Sequence, residues 1–71
     1  MSDRSESETS NDLSINVGRN LRRLRTRRGF SLERLAKASG VGRAMLGQIE
    51  TGKSTPTIAL LWKVATALAP V

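Results

Sequence analysis

Arg43, Ala44, Gly47 and Gln48 recur at the four-residue spacing that puts side chains on one face of an α-helix. Together they make a surface of two long polar side chains and two very small residues. That set suits the edges of nucleic-acid bases: arginine bonds O6 and N7 of guanine together, glutamine pairs with N6 and N7 of adenine, and an alanine methyl meets the methyl of thymine. Leu46 and Ile49 fall on the opposite face and would anchor such a helix in a core. Gly47 is not explained by stability, because glycine inside a helix costs about 1 kcal/mol relative to alanine. Close approach of the backbone to DNA accounts for it; toleration of a weak residue in a short helix is the plainer alternative.

Composition removes most other chemistry. Among 71 residues there is no Cys and no His, so disulfides, thiolate nucleophiles, imidazole bases and the commonest zinc ligands are ruled out. After Asp12 the acids are Glu33 and Glu50, too few to assemble an acid/base pair or a metal cluster. The expectation is a non-enzyme with no catalytic residue, metal or cofactor. The apolar stretches fall far short of the ~20 residues of a membrane span, and the polar N-terminus lacks the apolar core of a secretory signal. A cytoplasmic protein with no membrane partner follows as an expectation.

The formal net charge is +6, unevenly spread. Residues 1–12 carry Asp3, Glu6, Glu8 and Asp12 against Arg4, whereas residues 13–71 carry eleven Lys or Arg against Glu33 and Glu50. So basic a segment fits a phosphate-backbone binder, and fits equally a solvated basic surface. Residues 1–12 are read as a disordered acidic tail, because between the initiator and Leu13 no apolar residue is available to offset ordering entropy.

The elements that would position these residues follow from apolar spacing and punctuation. Leu13, Val17, Leu21 and Leu24 predict a first helix over about 13–28, stopped by Gly29. Ser31 is a good N-cap for a second helix with Leu35 and Ala36 inward and Gly40 at its end. Val41 and Gly42 make a turn, and a third short helix runs from Arg43 to about Glu50, closed by Gly52. Pro56 biases Thr55 toward extended backbone, Thr57 can cap, and Ile58, Leu61, Ala65 and Leu68 form the stripe of a fourth helix that Pro70 prevents from continuing. The fold class is therefore all-α: a compact bundle of short helices in one domain over residues 13–71. Residues 31–52, helix, glycine-containing turn and helix, have helix-turn-helix spacing. Helix pairs alone would serve equally as a structural αα-corner.

The stretch Val17 to Leu68, with its segments VGRNLRRLRTRRG, SLERLAKASGVGRAMLGQIETGKSTPT and LLWKVATAL, resembles the Cro/C1-type (XRE) helix-turn-helix family of transcriptional regulators. The run GRAMLGQIETGKSTPTIALLWK is most similar to the subgroup in which a cupin-type sensor domain follows the DNA-binding domain. The resemblance implies a lambda-repressor-like bundle of four to five helices, with the chain stopping before or within the fifth. It implies sequence-specific binding of a double-stranded DNA operator, with residues 43–50 in the major groove.

Carried over by position, the resemblance gives base readout to Arg43, Ala44, Gly47 and Gln48. Phosphate contact goes to Ser31, Thr51, Lys53, Ser54 and Arg25, and a supporting salt bridge joins Arg25 to Glu50. Arg27 and Arg28 are placed near phosphate because they lie closest to the start of helix 2, whereas Arg19 and Arg23 are read as a solvated face. Gly42 belongs to the phosphate-contacting set but caps helix 3 where the family commonly has Ser, and so offers no hydroxyl. Leu32 stands where the family often has a Gln that touches backbone. A homodimer is expected of the full-length regulator, and a monomer or weak dimer of this chain, with Trp62, Leu60 and Val71 as an exposed apolar patch. The alternatives are an antitoxin that represses its own operon and a non-specific RNA or anionic-membrane binder. The latter is opposed by the use of helix 1's apolar face in the core.

Overall fold

The computed structural model describes residues 3–69, with side chains from Asp12 onward. Four helices follow one another: α1 (Asp3–Arg27), α2 (Leu32–Ser39), α3 (Arg43–Glu50) and α4 (Ile58–Leu68). Helix α1 packs on α3, and α2 packs on both α3 and α4. Leu21, Leu35, Val41, Leu46, Ile49, Val64 and Leu68 form the buried core, with Leu35, Leu46 and Ile49 fully enclosed.

The short helices are set by their caps. Ser31 is extended (φ −76°, ψ 165°) and its hydroxyl accepts from the Arg34 amide at 3.0 Å, a device worth about 1 kcal/mol. Thr57 does the same for the Leu60 amide at 3.1 Å. Gly40 ends α2 in the left-handed region (φ 74°), where a Cβ would be strained, and so turns the chain into α3 within three residues. The Ser39 hydroxyl donates to the Leu35 carbonyl at 2.7 Å and accepts from the Val41 amide at 3.2 Å, which satisfies the backbone as Val41 enters the core. Ala69 is extended (φ −66°, ψ 141°), as the residue before a proline must be.

Three sequence expectations are corrected. Helix α1 begins at Asp3 rather than near Leu13, so the stretch read as a disordered tail is helical from Asp3 onward. Apolar periodicity could not see that turn of the chain, and acids at the start of a helix are favourable to its dipole. The buried stripe of α4 is Val64 and Leu68, with Leu60, Leu61 and Ala67 partly covered. Ala65 is exposed and Ile58 is 87% exposed, so the helix is rotated from its expected facing.

The third correction concerns the apolar patch. Leu60 packs against the core, while Leu24 is largely exposed and, with Val17, Leu21, Leu61, Ala65 and Leu68, lines an open groove of about 720 Å³ between α1 and α4. The helical stripes are thus not all spent on one core. Trp62 is 73% exposed, as expected of the patch. Pro70 and Val71, expected to stop α4 and to join that patch, lie outside the described residues, as do Met1 and Ser2.

Candidate nucleic-acid interface

Helix α3 divides its side chains cleanly. Leu46 and Ile49 are fully buried, which turns Arg43, Ala44 and Gln48 to solvent, with Gly47 half-exposed beside them. A Cβ built at Gly47 would meet nothing within 4 Å, so no packing within the fold requires glycine there. The helix starts at Gly42 (φ −60°, ψ 143°), which is exposed and makes no side-chain cap.

The chain beyond α3 folds back on Gln48. The Gln48 carbonyl accepts from the amides of Lys53 at 2.9 Å and Ser54 at 3.3 Å and from the Thr51 hydroxyl at 3.2 Å. The Ser54 hydroxyl donates to Gln48 Oε1 at 2.9 Å. Thr51 and Lys53 are exposed, so a hydroxyl and an ammonium stand at one edge of the α3 face.

At the other edge lies the start of α2. Ser31 is exposed, and with its oxygen accepting from Arg34 its proton is left to donate outward. The guanidinium carbons of Arg34 and Arg28 sit 4.7 and 5.6 Å from the centroid of the Phe30 ring, so the aromatic holds two cations beside Ser31. Arg27 and Arg28 are exposed, and both also border the groove between α1 and α4. Arg19 and Arg23 are exposed as well, with Arg23 donating to Asn20 Oδ1 at 3.2 Å.

Beneath the face, Arg25 Nε donates to Glu50 Oε2 at 2.6 Å and Nη2 to Oε1 at 3.0 Å, while Nη1 donates to the Phe30 carbonyl at 2.8 Å. The pair links α1 to the end of α3 and to the loop before α2. An exposed pair of this kind would add only ~0–1 kcal/mol. Here the side chains are only 13% and 6% exposed, so removing one partner leaves the other charge poorly solvated. The hydrogen bond to Glu50 raises the Arg25 pKa above its ordinary value, against the lowering effect of burial. Three of its donors point inward, which makes support of the fold its first role here.

Two contributors escaped sequence reasoning. Gly18 is buried in α1, and a Cβ there would stand 2.3 Å from the Ile49 carbonyl oxygen and 2.7 Å from that of Glu50. Only glycine lets α1 come that close to the end of α3. The signal was present, since an interior helical glycine costs as much at position 18 as at 47. Beside it, buried Ser14 hydrogen-bonds Thr55 in the loop after α3. Arg34 is the other, an arginine at the third position of α2 where a capping glutamate would be favoured.

Among the described residues, no group of His, Cys, Asp and Glu is placed to hold a metal, and no helix is long and apolar enough to cross a membrane.

Comparison with known proteins gives consistent matches. A helix-turn-helix family model, HTH_3, matches residues 21–69. The Escherichia coli K12 HTH-type transcriptional regulator SutR is 62% identical over 48 residues, covering 68% of this chain and 27% of SutR. The Bacillus subtilis HTH-type transcriptional regulator SlrR is 42% identical over 53 residues, covering 73% and 35%. The crystal structure of an HTH_3 family transcriptional regulator from Vibrio cholerae superposes with a TM-score of 0.81 at 47% identity, over 83% of this chain and 33% of that one. The restriction-modification controller protein C.AhdI of Aeromonas hydrophila gives 0.76 at 40% identity, over 78% and 83%. The chain thus spans about a quarter to a third of SutR and SlrR.

Proposed function

Because the chain belongs to the HTH_3 helix-turn-helix family of transcriptional regulators, we propose that it binds double-stranded DNA sequence-specifically as the DNA-binding part of such a regulator. Helix α3 lies in the major groove, where Arg43, Ala44, Gly47 and Gln48 read base edges. Ser31, Gly42, Thr51 and Lys53 flank it as phosphate contacts, with Arg27, Arg28 and Arg34 adding positive charge beside the start of α2. Arg25 reaches phosphate through the N–H groups that Glu50 and Phe30 leave unused. The DNA-binding unit is residues 13–71, with the acidic stretch 1–12 outside it.

The observation that carries this reading is the outer face of α3: polar and small, turned from the core, with space over Gly47 that the fold does not use. Regulator relatives do not favour the antitoxin alternative. The finer assignments are a following cupin-type sensor domain, on the strength of residues 42–63, cytoplasmic residence, and a full-length homodimer on two half-sites ~34–36 Å apart.

The test compares affinity for a DNA site selected by the protein with that for random DNA and for RNA at one salt concentration. A clear preference for the selected site supports sequence-specific readout. Equal affinity for all three would leave only a non-specific polyanion binder.

A further inference from the structure

We infer that Ser54 is a positioning residue for base readout: its hydroxyl holds the Gln48 carboxamide in the orientation that meets the base. The inference rests on the reading of α3 as the base-reading helix, and it gives Ser54 a different role from the phosphate contact implied by resemblance.

A glutamine on a helix surface has three rotatable side-chain bonds, and fixing them on binding costs affinity and blurs discrimination. Here the Ser54 hydroxyl donates to Gln48 Oε1 at 2.9 Å. The hydroxyl is itself held in place, because the Lys53 and Ser54 amides both donate to the Gln48 carbonyl and tie the chain back onto its helix. The turn that allows this passes through Gly52 in the left-handed region (φ 78°). Six residues apart in sequence, Gln48 and Ser54 are thus joined by one main-chain bond and one side-chain bond, with Lys53 adding a second main-chain bond to Gln48.

The chemistry of the pair is directional. Oε1 has no proton, so the hydroxyl must be the donor, and one lone pair of Oε1 is occupied while the other stays open. The carboxamide NH2 is left to donate outward and the remaining lone pair to accept, which is the paired set needed for the N7 and N6 edge of adenine. Turned over, the amide would donate to the same hydroxyl, which can also accept, and would reverse the pattern offered to the base. Ser54 therefore fixes where the carboxamide stands, and in the orientation seen here Gln48 offers the set that adenine needs.

The test uses the full 71-residue chain. Wild type, Ser54→Ala, Ser54→Thr, Gln48→Ala and the double variant Gln48→Ala with Ser54→Ala are measured on a DNA site selected by the wild type, on its single-base variants and on random DNA, at one salt concentration. Ser54→Ala is expected to lower preference about three- to tenfold at the same base pair that Gln48→Ala relaxes, from the freedom regained by one side chain. Affinity for random DNA should not move, Ser54→Thr should restore the preference, and Ser54→Ala should add nothing in the Gln48→Ala background.

Equal loss on selected and random DNA would make Ser54 a phosphate contact and overturn the proposal. So would an undiminished Ser54→Ala effect when Gln48 is already alanine. Failure of the underlying reading is distinct: Gln48→Ala would then leave every base preference unchanged, and the proposal would fall with it.

Discussion

Gly18 of α1 lies against the carbonyl oxygen of Ile49, so close that a Cβ at position 18 would stand 2.3 Å from it. Ile49 is fully buried and its helix carries the candidate base-reading face, so the seating of α1 at this point sets the pose of α3. Ile15 from the same turn of α1 reaches Gly52, and Ser14 bonds Thr55, which extends the seam into the loop after α3. Gly18→Ala should therefore cost about 3 kcal/mol or more, because the obstacle is backbone that cannot rotate away. Urea denaturation measures this, and an unchanged midpoint would show that α1 does not approach α3 as described.

Gly47→Ala should do the opposite. The site has room for a methyl group, and alanine is favoured over glycine in a helix, so stability should rise by about 0.5–1 kcal/mol. Binding to a selected DNA site should weaken, because the methyl would stand between the backbone and the groove. A variant that is more stable and binds DNA as well as wild type would return Gly47 to the status of a tolerated weak residue.

Helix boundaries and caps were legible in the sequence where the signal is local. Ser31 and Thr57 announce helix starts through their capping hydroxyls and Gly40 a helix end through its left-handed backbone, and apolar spacing between such marks sets α2 and α3. Less was legible where a choice depends on a partner far along the chain. Helix α4 offers two apolar stripes one residue apart, and only packing on α2 selects Val64 and Leu60 over Ala65 and Ile58. Gly18 answers to a carbonyl thirty-one residues away, and the Ser54 hydroxyl to a side chain across a turn, neither of which periodicity reveals.

Arg25 and Glu50 should behave as a coupled pair. Either residue changed to Ala should cost about 3 kcal/mol, and the double variant clearly less than the sum, because each single change strands a poorly solvated charge or acceptor. Additive losses in a denaturation cycle would contradict this. Because the Arg25 pKa is raised by Glu50, its stabilising contribution is present at all pH values below the unfolded arginine's range. It would be lost only as the pH rises through the raised value, so the arginine side of the pair adds no pH dependence near neutrality.

The chain should sediment as a monomer or weak dimer at micromolar concentration. Its exposed large apolar residues are spread over Leu13 and Leu24 of α1, Met45 of α3 and Ile58 and Trp62 of α4 rather than gathered in one face. A tight dimer at that concentration would mean that the four described helices carry an interface of their own.

Base reading by α3 is tested most directly by selection of DNA from a random pool by the wild-type chain, repeated with Arg43→Ala, Gln48→Ala and Lys53→Ala. A defined site is expected for the wild type, relaxed preference at a different single base pair for each of the first two variants at a cost of ~1–3 kcal/mol, and for Lys53→Ala weaker binding with an unchanged site. The same site recovered unaltered by Arg43→Ala and Gln48→Ala would contradict the assignment of base reading to the outer face of α3.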